Sequence, residues 1–168
     1  QSQINPHFLY NTLDIIVWMI ENEQKSEAVK VVTALARFFR ISLSKGKSII
    51  PVRDELEHVR NYLMIQQMRF KNKFTYTIDA APEVLGYASL KLMLQPLVEN
   101  AIIHGIAPKE EGGSIRIVVR QKENRLRIAI GDDGIGMTEE ELQQLKNRLK
   151  TADAGHGGIG LGNVYRRI

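Results

Sequence analysis

The sequence predicts an α+β fold, with a helical hairpin over residues 1–47 followed by a layered α/β domain over residues 48–168. Three observations predict it. The first 47 residues carry only helical periodicity, in two stretches separated by the polar break at Asn22 to Lys25. Beyond Pro51, helical stretches interleave with three alternating runs, at Lys73–Asp79, Ser114–Arg120 and Arg125–Asp132, which read as strands. Glycines then cluster twice, directly after the last of these strands and directly before a final helix.

In the opening stretch, Leu9, Leu13, Ile16 and Ile20 recur at helical spacing, and Phe8, Ile15 and Met19 widen the stripe. Pro6 starts this helix or kinks one that began upstream. A second helix runs from about Ser26, a candidate N-cap, to Lys45, with Gly46 as its stop and a stripe of Val29, Val32, Leu35 or Ala36, Phe39 and Leu43. Such a hairpin has little core of its own. Its broad stripes predict pairing with a second copy into a four-helix bundle. A third helix is expected over Asp54–Phe70 and a fourth from a cap at Ser89 to Gly105, bent or restarted at Pro96. Lys122-Glu123-Asn124 turns one strand into the next, and Thr138-Glu139-Glu140-Glu141 is a capping-box start for a short helix.

Composition narrows the function. With 168 residues, 43% hydrophobic and 25% charged, the chain has the profile of a soluble globular protein. It contains no cysteine, which excludes a disulfide frame and thiolate chemistry. No apolar run approaches the roughly 20 residues of a membrane-spanning helix, and no signal peptide is visible. The net charge of +4 is dispersed and forms no basic stripe of the kind that binds nucleic acid. Because the chain begins and stops inside helix-like patterns, it is expected to be a fragment, which leaves room for an upstream membrane segment.

Four motifs carry the chemistry. Gly131-Asp132-Asp133-Gly134-Ile135-Gly136 follows the Leu126, Ile128, Ile130 alternation. A carboxylate there can accept a proton from an exocyclic amine, and Gly134 and Gly136 let the backbone turn and approach a flat ligand. A polar hairpin turn would look the same. On the fourth helix, Asn100 and His104 lie one turn apart on one face. An amide oxygen suits Mg²⁺, which takes few protein oxygens beside substrate phosphates, and His104 can donate to a phosphate. A core amide and a histidine favoured by the helix C-terminus explain the pair equally well. Gly158-Ile159-Gly160-Leu161-Gly162 opens the last helix, where free backbone amides can bind an anion. A Gly-Lys-Ser/Thr phosphate loop is absent. Finally, His7 and Asn11 share a face of the first helix.

In order, these motifs resemble the Bergerat-type ATP-binding fold of histidine kinases, gyrase, Hsp90 and MutL, an α/β sandwich with a mixed sheet and helices on one face. The resemblance implies Asn100 as the Mg²⁺ ligand and Asp132 as the adenine contact. It implies Gly134 and Gly136 as a pocket hinge, and Gly158, Gly160, Leu161 and Gly162 as the phosphate loop beneath a lid at about 137–158. His104 would join the nucleotide contacts. Gyrase and Hsp90 place a catalytic glutamate four residues before the asparagine, where this chain has Pro96, which disfavours simple ATP hydrolysis. Gln3-Ile4-Asn5-Pro6-His7-Phe8-Leu9-Tyr10-Asn11-Thr12-Leu13 and Gln95-Pro96-Leu97-Val98-Glu99-Asn100-Ala101, followed after two residues by His104-Gly105, look like the phosphoacceptor and asparagine motifs of the LytS/YesM-type sensor histidine kinases.

That family implies phosphorylation of His7 by ATP and Mg²⁺, then transfer to an aspartate of a response regulator. It also implies a homodimer through the hairpin, within the cytoplasmic portion of a membrane-anchored bacterial sensor. Commoner histidine kinases carry an acidic residue directly after the histidine, and here that residue is Phe8. Asn5 and Glu99 are the candidates to orient His7, Glu99 only if the ATP domain docks on the hairpin. Asn11 occupies the place of a water-positioning residue for phosphatase action. The family fold also needs another strand or two after the last glycine-rich helix, so the sheet is expected to be incomplete at Ile168. Two rivals stand beside the kinase: a non-catalytic dimeric nucleotide-binding scaffold and a Bergerat-type ATPase.

Overall fold

The structure, a computed structural model, describes residues 6–44 and 48–151, the last four of these as backbone only. Helices α1 (Pro6–Glu21) and α2 (Lys25–Ser42) form the hairpin. Strand β1 (Ile49–Pro51) leads into α3 (Val52–Arg69). Strand β2 (Phe74–Ala80), a 3-10 turn at Pro82–Val84, β3 (Ala88–Leu90) and α4 (Leu94–Asn100) follow. A π-helical turn, Ala101–Ile106, continues α4, and β4 (Gly113–Lys122), β5 (Arg125–Asp132) and α5 (Glu139–Thr151) complete the order.

The main sheet has the order β2-β4-β5, with β2 parallel to β4 and β4 antiparallel to β5, so it is mixed as expected. Its tightest turn is Glu123-Asn124, where Glu123 takes φ 54°. β1 and β3 make a separate antiparallel pair, Ile50 opposite Ser89. Ser89 is therefore a strand residue and not a helix cap. Alternation puts Ile115, Ile117 and Val119 of β4 on one face, where all three are buried in the core shared with α3 and α4.

α3 is apolar on more than one side. It buries Leu56, Val59, Leu63 and Ile65, and with them Glu55, His58, Tyr62 and Gln66. One side meets the hairpin: the Tyr62 ring lies 5.1 Å from Phe8, and the His58 ring stacks on Phe38 at 4.3 Å. The other side meets the sheet and α4. One continuous hydrophobic cluster thus runs from Phe8 and Phe38 through Tyr62 to Phe74, Val98 and Ile117.

The hairpin corrects the predicted stripes. On α2 the core takes Ala28, Val31, Ala34, Leu35, Phe38 and Ile41, while Val29, Val32 and Leu43 are exposed. On α1 the core takes Phe8, Ile16 and Met19, while Leu13, Val17, Trp18 and Ile20 face outward. Both helices carry two apolar faces. The inner one packs on α3, and the periodicity had merged it with the outer. α2 also begins at Lys25 without a side-chain cap, so Ser26 does not serve as one.

Candidate active site

A cleft of about 710 Å³ opens between α4 with its π turn and the inward face of β5. Its apolar walls are Leu94 and Leu97 on one side and Leu126, Ile128 and Ile130 on the other, with Asn100, His104, Asp132 and Gly136 along them. An apolar slot with a few convergent polar groups is the usual form of a small-molecule site.

The position of α4 is fixed by Glu55. This carboxylate is 1% exposed and accepts three backbone N–H groups at the helix start: Leu92 at 2.8 Å, Met93 at 2.6 Å and Leu94 at 2.8 Å. It satisfies donors that the first turn of a helix leaves without intrahelical partners. Pro96 falls in that first turn, where its missing N–H removes nothing, and the helix starts afresh at Leu94 just before it. The irregularity comes later, where Ala107 N–H reaches back five residues to the Ile102 carbonyl at 2.8 Å. π turns occur often at functional positions, and this one carries His104 and Gly105.

Gly105, expected from the sequence only as the end of the helix and of its motif, shapes the site. A Cβ there would lie 2.6 Å from Asp132 Oδ1. A Cβ on Gly134 would collide with the Gly105 backbone. The two glycines let the loop after β5 lie directly on the π turn, and Ile135 N–H donates to the Gly105 carbonyl at 2.9 Å. Asp132 Oδ1 accepts from Gly134 N–H at 2.9 Å, which aims the carboxylate along the cleft. Gly136 contributes differently: it takes φ +70°, a conformation costly for any side chain.

The neighbouring aspartate has another role. Asp133 accepts from Ser114 N–H at 2.6 Å and from the Ser114 hydroxyl at 2.8 Å, while Lys109 donates to its carbonyl at 3.0 Å. The hydrogen bonds from Ser114, assisted by the Lys109 charge, hold the Asp133 carboxyl below the usual range. Asp133 thus ties the loop to β4, and Asp132 faces the cleft. Beyond the loop the predicted capping box forms: Thr138 N–H donates to Glu141 Oε2 at 2.8 Å, and Glu141 N–H to Thr138 Oγ1 at 3.3 Å. Gly158, Gly160, Leu161 and Gly162 lie outside the described residues, as do Asn5, Ser26's predicted partner stop Gly46 and the lid beyond Thr151.

His7 lies elsewhere on the same helix's surroundings. It lines a second cavity, of about 290 Å³, together with Arg69, Phe70, Glu99 and Ile103. Residues 99 and 103 occupy the neighbouring face of the helix whose residues 100 and 104 line the cleft. His7 of the hairpin and Glu99 of α4 thus line one cavity. The Asn11 amide nitrogen lies 3.0 Å from His7 Nδ1 and 3.5 Å from Nε2. Burial, reinforced by the Glu99 carboxylate, pushes the nearby Tyr62 hydroxyl well above its ordinary range.

Among the described residues, no group of three or more His, Asp and Glu side chains could hold a metal ion. Asn100, His104 and Asp132 bring one amide, one imidazole and one carboxylate to the cleft, a set that fits an ion carried in on nucleotide phosphates better than a resident metal centre.

Comparison with known proteins gives the class first. Residues 1–74 match the family described as histidine kinase, and residues 87–168 match the histidine kinase-, DNA gyrase B- and HSP90-like ATPases. The second match carries a Bergerat fold and implies use of ATP. More closely, the whole chain aligns at 37% identity with the sensor histidine kinase YesM of Bacillus subtilis, at 33% with the sensor protein LytS of Enterococcus faecalis and at 36% with the sensor histidine kinase YpdA of Escherichia coli. The two matched segments together span most of the chain and, with these relatives, place it among the LytS/YesM-type sensor histidine kinases. It spans 28%, 28% and 29% of the lengths of those three relatives. Among solved structures it is similar to the histidine kinase domain of a blue-light-activated histidine kinase from Erythrobacter litoralis, with a TM-score of 0.49, 15% identity, and 97% and 83% of the two chains covered.

Proposed function

We propose that this core phosphorylates His7 from ATP and passes the phosphoryl group to an aspartate of a response regulator receiver domain. The observation that carries the reading is the placement of the nucleotide cleft and His7 on neighbouring faces of one helix, with Asn100 on the first face and Glu99 on the second.

In this reading Asp132 accepts the adenine amine, and Leu97, Ile128 and Ile130 cover the ring. Asn100 supplies an oxygen to Mg²⁺, and His104 donates to a phosphate. The glycines at 158, 160 and 162, with Leu161 among them, close over the phosphates. Bound ATP with Mg²⁺ supplies an activated phosphoryl group. His7 supplies a neutral imidazole nitrogen, a competent nucleophile near pH 7. Asn11 lies within hydrogen-bond reach of the ring, 3.0 Å from Nδ1 and 3.5 Å from Nε2, and so restrains its orientation, the part that Phe8 cannot play. Glu99 stands close enough to the ring's cavity to take up the proton that the reacting imidazole sheds. His7 and the cleft occupy different faces of the helix, so transfer requires the hairpin to move or the cleft of a second copy to serve. The exposed Leu13, Val17, Trp18 and Ile20 of α1, with Val29 and Val32 of α2, favour a homodimer built on the hairpin. We also place this core on the cytoplasmic side of a membrane-anchored sensor, in keeping with its relatives. No helix among the described residues is long and apolar enough to cross a membrane itself.

The test is incubation with γ-labelled ATP followed by addition of receiver domains. Expected are acid-labile label on the protein, its complete absence in His7→Ala with ATP affinity unchanged, and chase of the label onto one receiver. Steady phosphate release without labelled protein would favour a simple ATPase. Nucleotide binding with neither outcome would favour a scaffold.

A further inference from the structure

The cavity beside His7 holds a cation whose placement the transfer reaction does not explain. Arg69 ends α3 and reaches the cavity that His7 lines. Its guanidinium sits over the Phe70 ring, 5.3 Å from the centroid, and donates to Gln66 Oε1 at 3.5 Å. Gln66 is itself buried and anchored, with its amide nitrogen donating to the Tyr62 hydroxyl at 2.8 Å. An arginine so placed is pre-ordered. A guanidinium has five N–H donors in a planar fork, and the bond to Gln66 engages one of them. Such a fork matches the oxygens of a phosphoryl group. Glu99 lines the same cavity. A carboxylate there favours a neutral or cationic imidazole and opposes a dianionic group, so the two charged walls respond to phosphorylation with opposite signs.

We propose that this cavity is the seat of phosphorylated His7, with Arg69 holding the transferred phosphoryl oxygens against the repulsion of Glu99. The proposal rests on His7 being the phosphoacceptor. Before transfer, the seat presents Asn11 and Glu99 to a bare ring. After transfer, Arg69 draws the phosphoryl group toward the wall that Phe70 and Ile103 line. Spontaneous loss of the group requires a water oxygen to bond to phosphorus while the P–N bond breaks and its electron pair returns to the ring nitrogen. The protons of that water end on the imidazole and the released phosphate. A phosphoryl group whose oxygens Arg69 clamps presents its phosphorus to an in-line water less often. Arg69 is therefore a positioning residue for the phosphorylated state and has no part in binding ATP.

The experiment loads His7 chemically with phosphoramidate, so that it does not depend on kinase activity, and follows phosphoprotein decay on a phosphate-affinity gel. His7→Ala gives the background from the other histidines. The expected order of half-lives is Arg69→Gln shortest, Arg69→Lys intermediate, parent longer, and Glu99→Gln longest. A loss of roughly tenfold is expected for Arg69→Gln, the size of one charge-assisted hydrogen bond. Arg69→Lys keeps the charge and guards against a folding defect in the neutral variant. Opposite shifts for Arg69→Gln and Glu99→Gln cannot come from loosened packing, which would shorten both. Equal half-lives in Arg69→Gln and the parent would overturn the proposal. If ATP fails to label the parent while the chemically loaded series keeps this order, the kinase reading fails and the phosphoryl seat stands.

Discussion

The two faces of α4 and its π turn are built from different materials. The cleft face is made by closeness of backbone: Gly105 under Gly134, Ile135 N–H on the Gly105 carbonyl, and Asp132 aimed by an N–H two residues on. The face toward the hairpin is made by long side chains from three helices, His7 from α1, Arg69 from α3 and Glu99 from α4. A backbone-built site holds its shape whatever the sequence around it, but tolerates no added atom. A side-chain-built site tolerates substitution and depends on how two helical layers are docked. Damage to the first should show in ligand affinity, and damage to the second in rates and lifetimes.

The largest expected break on the cleft side is Gly134→Ala. The new Cβ meets main-chain atoms of Gly105, which cannot swing away as a side chain would. Overpacking of this kind costs about 3 kcal/mol or more where backbone must yield. Thermal unfolding and nucleotide titration should both register it, and parent-like values in both would show that the loop and the π turn separate freely.

A comparable effect is expected in the hairpin-side core, where it depends on pH. Burial, reinforced by the charge of Lys91, lowers the His58 pKa from 6.5 to about 4. Its Nε2 bonds to Ser42 Oγ at 2.8 Å, and its ring stacks on Phe38. Above pH 6.5 folded and unfolded states are both neutral at this position, and the stability it permits is complete. As pH falls from 6.5 toward 4, the unfolded chain takes a proton that the folded chain refuses, and stability drops by at most about 3 kcal/mol. His58→Phe should flatten the loss in this window, as read by denaturant midpoints at several pH values. An unchanged slope would assign the acid sensitivity to the carboxylates instead.

Asp132→Asn should weaken nucleotide binding by about 1.5–3 kcal/mol, because it replaces a charged acceptor with a group that can present a donor to the adenine amine. The fold should survive, and calorimetric titration is the measurement. Affinity equal to the parent's would remove Asp132 from the site. The smallest effect falls on Asn11→Ala. Labelling of His7 should persist within about tenfold, or 1.4 kcal/mol in the barrier, while any stimulated dephosphorylation of a regulator declines. Complete loss of labelling would make the Asn11–His7 bond part of the transfer step itself.

Linear motifs made the cleft legible. Asn100 with His104, and Asp132 with Gly134 and Gly136, are short-range patterns whose spacing is itself the geometry, and the structure sets four of the five along one cleft with Gly134 beneath. The mixed sheet followed from three alternating runs. Glu55 was invisible because the three N–H groups it holds are some 37 to 39 residues away in sequence. Arg69 was invisible for the same reason. The two faces of α2 could not be separated because Val29 and Val31, or Val32 and Leu35, are equally apolar, and only the position of α3 decides which are covered. Asp133 could not be told from Asp132 by sequence, since the difference is made by Ser114 on the neighbouring strand.

The π turn has a consequence for how this chain can change over evolutionary time. One extra residue is folded into the helix between Asn100 and Ile106, and it sets the angular phase of His104 and Gly105 against the residues before them. Removing a single residue there would restore ordinary helical phase, rotate the glycine off the loop and turn a side chain toward Asp132. Substitutions on either face can accumulate independently of each other. Changes in the length of this segment cannot, and insertions and deletions should be rarer between Asn100 and Ala107 than at any of the chain's surface turns.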